Sequence, residues 1–330
     1  MAERKKVFLC DYPNFRTTRH WRDYLVANHD LVTDMYFNPV YAEWADVIWM
    51  EWCEYAAIEA ARGEGDFKDV YDHAGIRGAK NAQHGGHFNW KGKKMIIRPI
   101  DIDIHVGHFR SVEWKNVDSL CYIAPHFGRM LRNGFAYPPE LKIHETRLSV
   151  KLDEWRFKER TPGANIAWIN HNWSGKNLPG AIYALKKLNE LSSAKYTLHV
   201  VENKRSNENW LFSHVKHIIK IFGLEEYVRF YQTVPSIDEF LEDKNYLWQT
   251  SMKEGFSLIM GEALAKGIKA LTLNWESSDE IWPKELVADT PEELALKTIE
   301  GEYNSNKFRE IASRYSHDKE IAQLREITGL

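Results

Sequence analysis

Short apolar runs alternate with amphipathic stretches along most of the chain. In the first half, Lys6–Cys10, Leu31–Phe37, Ala45–Trp52, Lys94–Ile100 and Val117–Ile123 are compact apolar segments of the length expected for buried strands. Between them, Arg19–Ala27 and Tyr55–Arg62 carry apolar residues at helical spacing. Residues 63–94 are polar and rich in glycine and histidine, and the pattern predicts no element there. Leu141–Phe157, followed by charges up to Pro162 and Gly163, reads as a passage between domains.

The second half repeats the alternation more regularly. Strands are predicted at Asn165–Asn170, Tyr196–Val201, Val228–Tyr231, Tyr246–Gln249 and Ile268–Leu273. Helices are predicted at Pro179–Leu191, Asn207–Phe222, Ile237–Glu242 and Leu258–Lys266, with Gly223 and Gly267 as left-handed stops. Ser236 with Glu239 and Thr290 with Glu293 are capping boxes, the second with Pro291 at the first helical position and Gly301 as the stop. Lys307–Ile327 is predicted as one charged helix. Strands separated by helices of this length imply parallel βαβ units with ligands at the carboxyl ends of the strands, and two such sets imply two α/β domains.

Composition narrows the possible partners. The chain has 330 residues, 44% hydrophobic and 28% charged, enough for two ordinary cores. A net charge of −3 excludes a protein built mainly to neutralise nucleic-acid phosphates. The three cysteines, Cys10, Cys53 and Cys121, form no CxxC and read as buried free thiols in a reducing compartment. No apolar run approaches the ~20 residues that span a membrane, so a soluble, cytoplasmic protein is expected. The basic and aromatic stretch His126–Phe135 fits either an ordinary helix or a peripheral membrane contact. The 13 tryptophans read mainly as core.

The sharpest chemical signal is Glu254-Gly255-Phe256-Ser257-Leu258-Ile259-Met260-Gly261-Glu262. Gly255 permits a tight strand-to-helix turn, and Ser257 is a suitable N-cap. Backbone N–H groups at the helix start then suit a diphosphate. Glu254, just before them, is placed to accept hydrogen bonds from sugar hydroxyls. Glu262 lies one turn after Leu258, where ribose hydroxyls would partner its carboxylate. The spacing also fits a surface helix that carries an incidental glutamate.

Residues 163–300 resemble the C-terminal domain of the retaining family 4 (group 1) glycosyltransferases of the GT-B fold. The resemblance rests on Lys176-Asn177, on the strand Val228-Arg229-Phe230, and on Glu254-Gly255-Phe256 through Glu262-Ala263 to Gly267. In residues 1–160 it is carried more weakly by Lys94–Ile102, Asn116–Ala124 and Leu148–Phe157. The resemblance implies two facing Rossmann-like domains with a cleft between them: residues 1–160 on the acceptor side, 161–306 binding a nucleotide sugar, and 307–330 crossing back. It implies that Glu254 contacts the donor sugar, Glu262 the ribose, and Lys176 the diphosphate leaving group. Amides around Gly255, Phe256, Ser257 and Leu258 would hold the phosphates, and backbone near Tyr231 and Gln232 the base. The implied reaction is hexosyl transfer from a nucleotide-diphosphate sugar with retention. It needs no cofactor and no metal, because a lysine and a helix N-terminus can stabilise the departing charge.

The chain departs from the family pattern in three places. An arginine is expected about five residues before the lysine, but Asn170-His171-Asn172-Trp173 stands there, leaving His171 or Arg205 to supply the charge. The glycine-rich loop after the first strand is replaced by Asp11-Tyr12-Pro13-Asn14-Phe15. The first-domain histidine is missing, so Glu51, Asp101 and Asp103 become the acceptor-side candidates. These departures keep a second reading open, a GT-B protein that binds a nucleotide sugar or glycan without turnover. A third reading is a metal-dependent enzyme. Asp101, Asp103 and His105 share one face of an alternating segment, with His84 and His87 as another close pair. A P-loop, a GxGxxG and a GxSxG are all missing, which removes kinase, dehydrogenase and ordinary esterase readings.

Overall fold

In the computed structural model of the protein, residues 4–12, 17–52, 54–76, 85–100, 108–171, 174–203 and 209–330 are described. The chain divides into two compact units, one of residues 1–148 with 317–330 and one of residues 149–316. Each is built on a six-stranded parallel sheet.

The first unit runs β1 (Lys6–Cys10), α1 (Arg19–Asn28), β2 (Asp30–Asp34), α2 (Pro39–Trp44), β3 (Val47–Glu51), α3 (Tyr55–Ala60), β4 (Glu64–Phe67), β5 (Gly86–Asn89), β6 (Lys94–Arg98), β7 (Ser119–Tyr122), α4 (Pro125–Gly134) and β8 (Lys142–Glu145). The main sheet has the order β2-β1-β3-β6-β7-β8, and β4 and β5 form a separate antiparallel pair. Alternate residues of the central strands, Val7, Leu9, Val47, Trp49, Ile96 and Cys121, make one core with Trp21 and Leu25 of α1. The C-terminal helix His317–Thr328 closes that core with Leu324 and Ile327, three residues apart on one helical face.

Several expectations are revised here. The unplaced stretch 63–94 contains the β4–β5 pair. The segment read as a passage contains β8, which pairs with β7. The helix α2 escaped notice although its signal is present: Asn38 Oδ1 accepts from the Val40 amide at 3.1 Å and Pro39 follows at the first helical position. The stretch His126–Phe135 forms α4 with His126 and Phe127 buried, which favours the ordinary-helix alternative. Cys10 and Cys121 are buried and free, and burial pushes the Cys121 thiol up to about 12, so neither is a ready nucleophile.

The second unit runs β9 (Asn165–His171), α5 (Leu178–Leu191), β10 (Thr197–Asn203), α6 (Asn209–Phe222), β11 (Val228–Tyr231), α7 (Ile237–Phe240), β12 (Tyr246–Gln249), α8 (Leu258–Ala265), β13 (Lys269–Leu273), α9 (Ser278–Ile281), β14 (Val287–Ala288), α10 (Pro291–Ile299) and α11 (Ser305–Ser313). Its order, β11-β10-β9-β12-β13-β14, is the doubly wound Rossmann order. Both capping serine and threonine side chains act as expected, with Ser236 Oγ 3.2 Å from the Glu239 amide and Thr290 Oγ1 3.1 Å from that of Glu293. Gly267, at φ +80°, ends the α8 region, and a Cβ there would meet the Lys158 carbonyl oxygen at 2.6 Å.

The single helix expected over Lys307–Ile327 is two helices, α11 and His317–Thr328. The break has a local cause. The Val150 amide donates to the Tyr315 carbonyl at 2.8 Å, and Val150 forms a parallel bridge with Ser316. The Tyr315 ring packs on Phe256 and Trp282 at 5.0 and 5.3 Å. Among the described residues, seven tryptophans are fully buried, in line with the core reading. Among the described residues, no helix is long and apolar enough to cross a membrane.

Candidate functional site

The strands β9 and β12 are neighbours in the second sheet, yet their connections lead in opposite directions, β9 toward β10 and β12 toward β13. Such a switch point opens a crevice at the carboxyl ends of the two strands, where α/β sheets bind ligands. Lys176 stands in the connection after β9, and Glu254 in the connection after β12.

Backbone bonds stitch these connections together. The Met252 amide donates to the Gly175 carbonyl at 2.9 Å. The Thr250 hydroxyl accepts from the Trp168 indole at 2.9 Å and faces the carbonyls of Lys176 and Asn177 at 3.1 and 2.9 Å. The loops are thus tied to each other independently of the Lys176 and Glu254 side chains, which is what a preorganised site needs.

Lys176 Nζ then forms an ion pair with Glu254 Oε1. The lysine side chain is 18% exposed and the glutamate side chain 11%. The same oxygen accepts from Gln249 Nε2 at 3.0 Å and Ser251 Oγ at 2.7 Å. Gln249 gives its other N–H to Ser257 Oγ at 3.0 Å, and its own oxygen accepts from Asn170 Nδ2 at 2.7 Å. The Gln249 amide is therefore fully committed, in one orientation. Among the described residues, Glu254 Oε2 has no hydrogen-bond donor.

The turn into α8 differs from expectation in its capping. Its left-handed residue is Ser257, at φ 62°, two residues after Gly255. A non-glycine residue there costs of order 1–3 kcal/mol and persists only where its surroundings hold it. Here the Gln249 amide holds it. Ser257 does occupy the N-cap position, but its side chain does not cap the helix, because its Oγ already serves Gln249. Only the amides of Met260 and Gly261 reach the Ser257 carbonyl, at 3.1 and 3.4 Å. Among the described residues, the amides of Leu258 and Ile259 have no acceptor, so the positive end of α8 is open.

Phe256 is buried against Trp282 at 5.2 Å, so it anchors the turn from below. Leu258 and Glu262 are the half-buried residues of α8, one turn apart, while Ile259, Met260, Gly261, Ala263, Leu264 and Ala265 are buried. Tyr231 ends β11 with its hydroxyl 3.0 Å from His199 Nδ1, and Gln232 is exposed beside it. Burial, with Lys244 adding, holds the His199 imidazole down at about 4 and hence neutral. His171 ends β9. Arg205, Asp101, Asp103 and His105 lie outside the described residues.

Glu51 lies in the first unit at the end of β3, 3% exposed. Its carboxylate takes Arg98 Nε at 2.9 Å and the Trp49 indole at 2.8 Å. Asn170, Gln249 and Ser251 were not singled out from the sequence. Their signal is the run Gln249-Thr250-Ser251, polar residues that end a fully buried strand at its carboxyl end.

The sequence model described as Glycosyl transferases group 1 matches residues 153–300. No curated protein matches the chain. Among solved structures, the chain is similar to a glycosyltransferase from Rickettsia africae ESF-5, with a TM-score of 0.72 at 13% identity over 99% of this chain and 98% of that one. It is similar to Anabaena Alr3699/HepE in complex with UDP and glucose, with a TM-score of 0.69 at 12% identity over 98% of each chain. It also resembles the pneumococcal O-GlcNAc transferase GtfA in complex with UDP and GlcNAc, with a TM-score of 0.55 at 11% identity over 72% of this chain and 52% of that one. The protein therefore has the GT-B fold of these glycosyltransferases, and its residues 153–300 match the group 1 glycosyl transferases.

Proposed function

We propose that the protein is a family 4 glycosyltransferase that transfers a hexosyl group from a nucleotide-diphosphate sugar to an acceptor hydroxyl with retention of configuration. The observation that carries this reading is the Lys176–Glu254 pair, held across the β9/β12 switch point beside the open start of α8. It puts a cation, unpaired amides and a carboxylate within one small region, as a diphosphate joined to a sugar requires. The complexes of Alr3699/HepE with UDP and glucose and of GtfA with UDP and GlcNAc, proteins of the same fold, add support.

Each group has a distinct task in this reading. Lys176 and the Leu258 and Ile259 amides accept the charge that grows on the diphosphate as its bond to the anomeric carbon breaks and the electron pair leaves with oxygen. Glu254 Oε2 accepts from a sugar hydroxyl and orients the ring. Glu262 accepts from the ribose. The acceptor oxygen forms the new bond to the anomeric carbon and passes its proton to the departing diphosphate oxygen. No step needs a metal, since the lysine and helix terminus supply the positive charge.

Incubation with a panel of nucleotide sugars, read by thermal shift and slow donor hydrolysis, tests the proposal. A shift with turnover is expected, and the product anomer, read by NMR, should match the donor's. A shift without turnover would favour the non-catalytic binder. EDTA should leave turnover intact. Loss on chelation, restored by manganese, would instead favour Asp101, Asp103 and His105 as a metal site.

A further inference from the structure

The Glu254 carboxylate is served by more than its lysine. One oxygen, Oε1, takes Lys176, Gln249 and Ser251 together. Gln249 and Ser251 are each 1% exposed, and neither is charged. If the ion pair alone were needed, two further buried donors on the same oxygen would be redundant. They matter once the lysine leaves. A diphosphate carries more negative charge than one carboxylate and competes for the Lys176 ammonium. Glu254, only 9% exposed, would then be an unpaired and nearly buried anion, which is costly.

We propose that Lys176 is exchanged between Glu254 and the donor diphosphate, and that Gln249 and Ser251 are positioning residues that hold the Glu254 carboxylate when the lysine transfers. The Gln249 amide has a second effect. Its other N–H fixes Ser257 Oγ, and so the left-handed turn that aims the Leu258 and Ile259 amides. Asn170 fixes the amide in turn, through the 2.7 Å bond to its oxygen. One side chain thereby sets both the carboxylate that faces the sugar and the amides that face the phosphates. This inference rests on the donor-site reading above.

The exchange makes a prediction that a structural role does not. With fewer donors on Oε1, the carboxylate holds Lys176 more tightly, so the diphosphate must work harder to take it. Gln249→Met and Ser251→Ala should each weaken nucleoside diphosphate binding by about three- to tenfold, although neither side chain need touch the ligand. Glu254→Gln removes the competing anion and should tighten diphosphate binding by about tenfold, while cutting turnover of the nucleotide sugar. In the Glu254→Gln background, Ser251→Ala should have no further effect on diphosphate affinity, and Gln249→Met should keep only the part of its loss that comes through the Ser257 turn.

Calorimetric titration of the full chain with the diphosphates of uridine, thymidine, adenosine and guanosine measures this, followed by a double-mutant cycle on whichever the wild type binds. Melting temperatures report folding, and if Gln249→Met does not fold, Ser251→Ala repeats the cycle. Equal losses from Gln249→Met, or from Ser251→Ala, in both backgrounds overturn the exchange and leave the donor site standing. A wild type that binds none of the four diphosphates overturns the donor site and the exchange together.

Discussion

Between β1 and β3, and again between β9 and β12, successive connections leave the sheet in opposite directions, so each sheet has a crevice at the carboxyl ends of its central strands. Both crevices are edged by polar residues, and both contain a non-glycine residue forced into left-handed backbone, Trp52 at φ 78° and Ser257 at φ 62°. Their chemistry diverges from there. At the first, Asp11 is 4% exposed and takes the Trp52 indole at 2.9 Å, the Tyr12 amide at 2.7 Å and the Thr18 hydroxyl. Glu51 beside it is consumed by Arg98, whose guanidinium also holds Glu320 of the C-terminal helix at 3.1 Å. At the second, Lys176 and Glu254 keep partial exposure, one carboxylate oxygen is unsatisfied among the described residues, and a helix start is open. Among the described residues, the first crevice thus holds a buried packing network, while the second holds the ion pair and open helix start on which the proposed donor site rests. The same kind of switch point carries different side chains, and any function follows those and not the fold.

The largest effect expected from breaking this contrast is on stability. Arg98→Met should cost about 3–5 kcal/mol, because it strands two buried carboxylates. Calorimetric melting should show it, while nucleoside diphosphate affinity below the transition stays unchanged. A parallel loss of affinity would mean that the first network also serves the ligand. Next, Lys176→Ala should lower turnover by roughly 10²–10³, and donor affinity by less, if it acts on charge that develops in the transition state. Steady-state kinetics with titrated affinities separates the two. Glu262→Ala should weaken the nucleoside diphosphate and the nucleotide sugar alike, by about 1.5–3 kcal/mol. Unchanged affinities would make Glu262 an ordinary helix residue.

The smallest effects are pH-dependent and opposite in sign. Burial, with the Glu51 carboxylate adding, pushes Asp11 up to about 6 from 3.8. A raised acid contributes stability that is full below the unfolded value and lost as pH rises through the folded one. His199 is held down at about 4 from 6.5, so its contribution is full above 6.5 and lost as pH falls toward 4. Melting temperatures from pH 4 to 6 should show Asp11→Asn gaining on the wild type as pH rises and His199→Gln falling behind it. Parallel slopes would break this part of the comparison.

Much of the second unit was legible in the sequence because its strands are continuous apolar runs and its helices carry explicit caps, as at Ser236 and Thr290. In the first unit, α2 and the β4–β5 pair escaped because they are short, and β8 because half-buried Lys-Ile-His-Glu has no apolar run. At the site, Glu254 stood out through its spacing to Glu262, and Lys176 through the resemblance to the group 1 glycosyltransferases. Their ion pair did not, since 78 residues separate them and only the sheet order makes their loops neighbours. Gln249 and Ser251 gave no charge to notice. Gly255 marks the tight turn by residue type, and the left-handed conformation within it falls on Ser257, whose Oγ takes a tertiary hydrogen bond from Gln249.

The Arg98–Glu320 bond also constrains the order in which the molecule can be made. Its partners are 222 residues apart, and all of residues 149–316 lie between them. At ~5–20 residues per second, a ribosome needs roughly 10–45 s to cover that distance. During that interval the intervening unit can emerge and fold, while the first sheet has its guanidinium but not its second carboxylate, and its core is open where Leu324 and Ile327 will sit. The earlier-synthesised half of the protein is thus the later one to be finished, with an apolar face uncovered until His317–Thr328 packs on it.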